Sequence, residues 1–156
     1  MTEWTEWKAE QAAVWLRHLR DMKHDIDRLH DEIEVQRSLA LPKGVDYSRP
    51  VVAASPRADA IPDAVARLED SIAGYVSELD AYIGEKGEAR DCLMLLDDSR
   101  HRAVLILYYL NGHSWEGVGE RMGYDPNYCR ELRNDALPFV YDVMPREWKT
   151  MIPRAD

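Results

Sequence analysis

The stretch HSWEGVGERMGYDPNYCRELRNDAL, His113 to Leu137, carries four residues that interrupt helices, Gly117, Gly119, Gly123 and Pro126, in a chain otherwise written in long helical patterns. Ser114 is a good N-cap for the short run that follows. Gly123 stops that run, and Asp125-Pro126 opens the next helix with a capping carboxylate and a first-turn proline. A short helix, a glycine turn and a second helix make the outline of a helix-turn-helix, whose packing sets demands at fixed positions. Counted from Trp115, the fifth position must lack bulk where the helices meet, and Gly119 stands there. The ninth needs a left-handed backbone, and Gly123 supplies it. Val118, Met122, Tyr124, Cys129 and Leu132 occupy the fourth, eighth, tenth, fifteenth and eighteenth positions, where apolar side chains are expected to point inward. The breaks read as the hinges of one motif.

Upstream, DDSRHRAVLILYYLNG reads as a helix capped by Asp98 or Ser99 and stopped at Asn111-Gly112. Val104, Leu107, Tyr108 and Leu110 make it apolar nearly all round, which predicts burial. Residues 3–40 read as one helix behind a Thr2 cap, with Trp15, Leu19, Met22, Ile26, Leu29 and Ile33 in heptad spacing. Trp4, Trp7 and Val14 lie off that row and are expected to touch something further. Residues 61–98 repeat the pattern through Ile61, Val65, Leu68, Ile72, Tyr75, Leu79, Tyr82, Lys86, Ala89, Leu93 and Leu96, with Val76 and Ile83 widening the stripe. Pro62 and Asp63 suit its first turn. Gly84 and Gly87 predict a weak point or bend near residue 85. Between the two patterns, 41–60 contains Pro42, Pro50 and Pro56 and reads as a flexible connector. It would let the helices fold back on each other or let each pair with another chain. In the tail, 138–156, Pro138, Pro145 and Pro153 are expected to break the chain and Trp148 to dock on the body. The fold class expected is all-α: two long heptad-patterned helices, as hairpin or coiled coil, and a C-terminal helix-turn-helix bundle.

Composition narrows the function. The formal net charge is −9. Residues 1–40 hold six basic and nine acidic side chains, and 61–98 hold three and ten, whereas 99–137 hold five of each. The acidity belongs to the long helices, and the glycine-broken region is neutral. No apolar run is long enough for a membrane span, and the polar start MTEWTEWKAEQ lacks the features of a signal peptide, so a cytoplasmic protein is expected. Cys92 and Cys129 fit no ligand spacing, and the histidines form no helical zinc pair. No metal site, cofactor or catalytic constellation is expected.

The segment LYYLNGHSWEGVGERMGYDPNYCRELRNDAL resembles region four of bacterial sigma factors, where a buried helix precedes a helix-turn-helix whose recognition helix ends in Ala-Leu, here Ala136-Leu137. The wider pattern is similar to small phage and prophage proteins of the ArpU type, described as late-gene transcriptional regulators. That resemblance implies double-stranded DNA as partner, RNA polymerase as a second, and a recognition helix beginning at Asp125. Base or phosphate contacts would fall at Pro126, Asn127, Tyr128, Arg130, Glu131 and Asn134, with Arg133 on the flank. Ser114 opens the helix before the turn, and Arg100, Arg102 and Arg121 are candidate phosphate contacts. These residue types suit the chemistry: arginine forks onto guanine, asparagine onto adenine, and a carboxylate accepts from cytosine.

One departure from the family pattern shapes the expectation. Asp125 to Leu137 holds two arginines against three acids, so a single copy would bind DNA modestly. A homodimer through the long helices would compensate by effective concentration. The competing reading is a protein–protein adaptor whose acidic helices do the binding while the motif serves as a packing unit. An Arg130 engaged with Glu131 or Asp135 would favour the adaptor. Exposure of Asn127, Arg130 and Asn134 on one face, joined by Arg100 or Arg121, would favour the regulator.

Overall fold

The computed structural model describes residues 2–40 and 60–150, and every regular element among them is helical. The connector at 41–59 and the end of the tail, Pro153 included, lie outside the described residues. Helix α1 spans Glu3–Ala40. The Thr2 hydroxyl accepts the Thr5 N–H at 3.3 Å, which supplies one of the partners that a first helical turn lacks. Helix α2 spans Ala60–Leu93 and is helical through Gly84 and Gly87. Both glycines are exposed, and a Cβ added at either would meet nothing within 4 Å. Gly84→Ala and Gly87→Ala are therefore each expected to stabilise the chain by about 0.5–1 kcal/mol, read as a raised Tm in thermal unfolding.

The second heptad row ends earlier than its pattern. After Leu93 the backbone tightens, with the Leu95 and Leu96 N–H groups donating to the Cys92 and Leu93 carbonyls at 3.1 Å each. The turn drops Leu96 into the core, where it is 5% exposed. Arg102 holds the turn from outside by donating to the carbonyls of Leu96, at 2.5 Å, and Asp97, at 3.1 Å.

Helix α3 covers Ser99–Leu105 and passes into a turn of π-helix at Ile106–Leu110. The single regular helix expected here is thus widened at its end, where the Asn111 N–H reaches back to the Ile106 carbonyl at 2.9 Å. Side chains from elsewhere take the freed carbonyls. Arg20 donates to that of Tyr108, and the Tyr82 hydroxyl to that of Leu110. Gly112, at φ +75°, then turns the chain out. Helix α4 is Trp115–Met122 and helix α5 is Pro126–Val143. Contrary to the expected break, α5 runs through Pro138. The proline removes the hydrogen bond to the Asn134 carbonyl, and Asn134 is exposed, so water can take its place. A 3-10 turn at Arg146–Trp148 follows, and the Trp148 ring packs against His18 with centroids 4.8 Å apart.

The chain divides into two compact units, residues 1–24 with 82–156, and residues 25–81, so the division passes through both α1 and α2. In the first unit Leu16, Leu19, Leu93, Leu105, Leu110, Val118, Cys129 and Val140 are buried in one cluster. Its share of α1 is wider than the heptad row. Ala12, Trp15, Leu16 and Leu19 are all buried, because this part of α1 meets several elements at once. Trp7 packs on Tyr141 at 5.2 Å, whereas Val14, 46% exposed, touches little and Trp4 stacks chiefly on Trp7 at 5.1 Å. Lys86, the polar residue in the second row, lies half-buried with its ammonium 5.8 Å from the Tyr82 ring. In the second unit Ile26 is buried, Leu29, Ile33, Val65 and Leu68 are half-buried, and the His30 ring packs on Tyr75 at 6.0 Å. Val35, Leu39, Ile72 and Val76 stay exposed there. No helix among the described residues is long and apolar enough to cross a membrane.

Candidate functional site

The site is built on α4, α5 and the turn between them. Ser114 has extended backbone, and its hydroxyl accepts the Gly117 N–H at 3.2 Å. Gly123 closes α4 at φ +75°, its N–H donating to the Gly119 carbonyl at 2.8 Å, and the Tyr124 N–H donates to the same oxygen at 3.0 Å. The Asp125 carboxylate then accepts the Asn127 N–H at 2.8 Å and starts α5. The two helices meet at Gly119. A Cβ there would lie 2.6 Å from the Tyr124 carbonyl oxygen and 3.4 Å from the Pro126 ring. Val118, Cys129 and Leu132 are buried beneath the turn, and burial, then Asp125, pushes the Cys129 thiol pKa up. Tyr124 is a correction to the inward pattern. It is 40% exposed and packs edge-on against Tyr128 at 5.2 Å, because the left-handed turn swings it to the rim.

Asn127, Arg130, Glu131 and Asn134 share the exposed face of α5. Arg130 donates to the Asn127 side-chain oxygen at 2.8 Å, and its guanidinium lies 5.8 Å from the Trp115 ring. It is engaged with neither Glu131 nor Asp135. Arg133 is half-buried, donating to the Asn134 side chain at 2.7 Å and to the Tyr109 hydroxyl at 3.1 Å. Its guanidinium is 5.0 Å from the Trp115 ring, which stacks on Tyr108 at 3.9 Å. Arg20 lies 3.8 Å from Tyr108, and also donates to the His113 carbonyl at 2.9 Å. Cations from α1 and α5 are thus joined through two stacked rings. Trp115 is half-buried within that stack.

The other candidate residues divide. Arg121 is exposed and donates weakly to the Gly117 carbonyl at 3.4 Å. Arg121, Arg130 and Arg133 have no carboxylate partner among the described residues. Arg100 is neutralised: it pairs with Asp98 at 3.1 Å and donates to the Tyr128 hydroxyl at 2.9 Å. The Asp98 carboxyl is held down to about 2, first by the side-chain hydrogen bond from Arg100 and then by the Arg100 N–H. Arg102 is half-buried on the carbonyls that end the turn after α2, which places it in the scaffold. Arg20 gives no sign of this contact in the sequence, because it sits on α1 some 90 residues from the turn whose carbonyl it takes.

His113 lies where these cations converge. Its imidazolium is disfavoured by burial first, then by Arg121, Lys23 and Arg20, so its pKa is lowered. A histidine whose folded pKa is below its unfolded value contributes stability above about pH 6.5 and loses it as pH falls through the folded value. His113→Gln is expected to shrink the loss of Tm measured between about pH 7.5 and pH 5. An unchanged acid slope would exclude His113 as its source.

No family model matches the chain, and no curated protein or solved structure matches it either.

Proposed function

We propose that the protein is a DNA-binding transcriptional regulator of the phage type, in which α4 and α5 act as a sigma-region-four-like helix-turn-helix and α5 enters the major groove. The observation that carries this reading is the face of Asn127, Arg130, Glu131 and Asn134, exposed together, with Arg130 held toward Trp115 and Asn127 instead of a carboxylate. A solvated helix end that served only packing would have no need of two amides and a guanidinium aligned over two turns. Arg121 and the opening of α4 flank that face and suit phosphates. Arg100 and Arg102 drop out of the interface, because Asp98 and backbone carbonyls engage them.

The exposed Val35, Leu39, Ile72 and Val76 of the second unit favour pairing of two copies, which would raise the modest affinity of each. An adaptor role has one observation of its own. Leu95, Phe139 and Val143 border a cavity of about 400 Å³ rimmed by Asp97 and Asp142. In the regulator, that surface would serve a protein partner such as RNA polymerase.

The test is fluorescence anisotropy with labelled duplex from upstream of the protein's own gene cluster and with a scrambled duplex. Saturable binding that prefers the first supports the regulator. No binding to either duplex at low salt supports the adaptor.

A further inference from the structure

Both asparagine amides on the exposed face of α5 are held by arginines. Arg130 donates from a terminal nitrogen to the Asn127 side-chain oxygen at 2.8 Å, along one side of the helix. Arg133 donates from its Nε to the Asn134 side-chain oxygen at 2.7 Å. A guanidinium carries N–H donors and no acceptor, so the end of each amide that meets it is the oxygen. Arg133 is itself fixed from the core side. A terminal nitrogen donates to the hydroxyl of buried Tyr109 at 3.1 Å, and the guanidinium lies 5.0 Å from the Trp115 ring. The side-chain nitrogens of Asn127 and Asn134 donate to no group among the described residues, and both residues are exposed.

What remains for a partner is a row of donors. Asn127 and Asn134 keep their NH2 groups, and Arg130 keeps the N–H groups that Asn127 does not take. An asparagine that pairs with adenine uses both ends of its amide, the nitrogen on N7 and the oxygen on the N6 amino group. Here that amino group would have to stand beside a guanidinium, donor against donor. Guanine instead presents two acceptors side by side, O6 and N7, and fits a surface made of donors. Glu131 lies on the same exposed face and forms no ion pair among the described residues. Its carboxylate is an acceptor, which suits the N4 amino group of cytosine.

We propose that α5 selects guanine over adenine, with Asn127, Arg130 and Asn134 donating to guanine O6 and N7 in the major groove. Arg133 is the positioning residue that sets the Asn134 amide. This rests on the reading above and names the bases that the same face selects. It replaces the asparagine–adenine pairing expected from residue types alone. Glu131 extends the choice to the G·C pair by accepting from cytosine. Specificity then reaches back into the core: Tyr109 anchors Arg133, and Arg133 turns Asn134.

The experiment is fluorescence anisotropy of the full chain with the labelled duplex from upstream of its gene cluster. The duplex is used as it stands, with 7-deazaguanine for every guanine, and with 7-deazaadenine for every adenine. Each analogue removes the N7 acceptor and leaves Watson–Crick pairing in place. The guanine analogue is expected to weaken binding roughly tenfold, and the adenine analogue less than about twofold. Arg133→Met keeps an apolar stem near Trp115 and releases the Asn134 oxygen. Its binding is expected to become roughly fivefold sensitive to the adenine analogue, a change that lost stability alone does not produce. An Arg133→Met variant that responds to the analogues as wild type does would remove Arg133 as the positioning residue. Weakening by the adenine analogue alone, by both equally or by neither would overturn the choice of guanine and leave the regulator standing. An absence of binding by wild type to the natural duplex at low salt would overturn the regulator itself, and this inference with it.

Discussion

Gly119→Ala is expected to destabilise the first unit by about 2–3 kcal/mol, lowering Tm by roughly 10 °C, because the added methyl would meet a backbone oxygen and not a movable side chain. The Cβ would sit 2.6 Å from the Tyr124 carbonyl, with the Pro126 ring at 3.4 Å on the other flank. The same Gly119 carbonyl accepts two N–H groups from the turn, so moving α5 away would also break bonds. Helix propensity alone predicts the opposite sign, a gain of about 1 kcal/mol for alanine over glycine. Thermal unfolding of Gly119→Ala beside Gly84→Ala therefore sets close contact against propensity within one chain. A Tm for Gly119→Ala at or above wild type would mean that the α4–α5 turn does not bring Tyr124 onto α4.

The second large effect concerns function. On the proposed reading, Arg130→Ala and Asn134→Ala are each expected to weaken binding to the preferred duplex by about 1–3 kcal/mol, tenfold or more, and to narrow its advantage over a scrambled duplex. Both side chains are exposed, so thermal stability should change little. Arg130 is the more informative. Its hydrogen bond to Asn127 and its position over Trp115 hold the guanidinium ready without neutralising it. Equal losses on the two duplexes would make it a phosphate contact instead of a base contact. Unchanged affinity on both would remove α5 from the interface.

Much of the helical framework was legible because the signals are local. Ser114, Gly123 and Asp125 end or begin helices through bonds that span two to four residues, and those bonds are formed. Gly119 was legible for a related reason, since only a residue without bulk lets two helices meet four positions before a turn. Where the reading of the sequence erred, a distant element had intervened. At the π turn of Ile106–Leu110, Arg20 and Tyr82 supply the donors for the Tyr108 and Leu110 carbonyls, contacts that no local pattern records. Leu16 lies outside the heptad row, yet it is fully buried because α1 meets several elements. Pro138 was expected to stop a helix, but the tertiary packing of Val140 and Met144 carries α5 onward.

The candidate site was less legible than the fold. From sequence, Arg100, Arg102, Arg121, Arg130 and Arg133 are equivalent charges in a neutral stretch. Only the folded chain separates them. Asp98 neutralises Arg100, the carbonyls of Leu96 and Asp97 engage Arg102, and Tyr109 holds Arg133 from 24 positions away. Arg121 and Arg130 are left turned to solvent. The sequence by itself determined an all-helical chain and the points at which its C-terminal helices begin and end, because capping and glycine turns act within a few residues. The tertiary structure alone decided which arginines carboxylates and backbone carbonyls engage, as with Arg100, Arg102 and Arg20, and which face solvent. Charge is neutralised or gathered by whatever the fold brings near, and no local pattern records that.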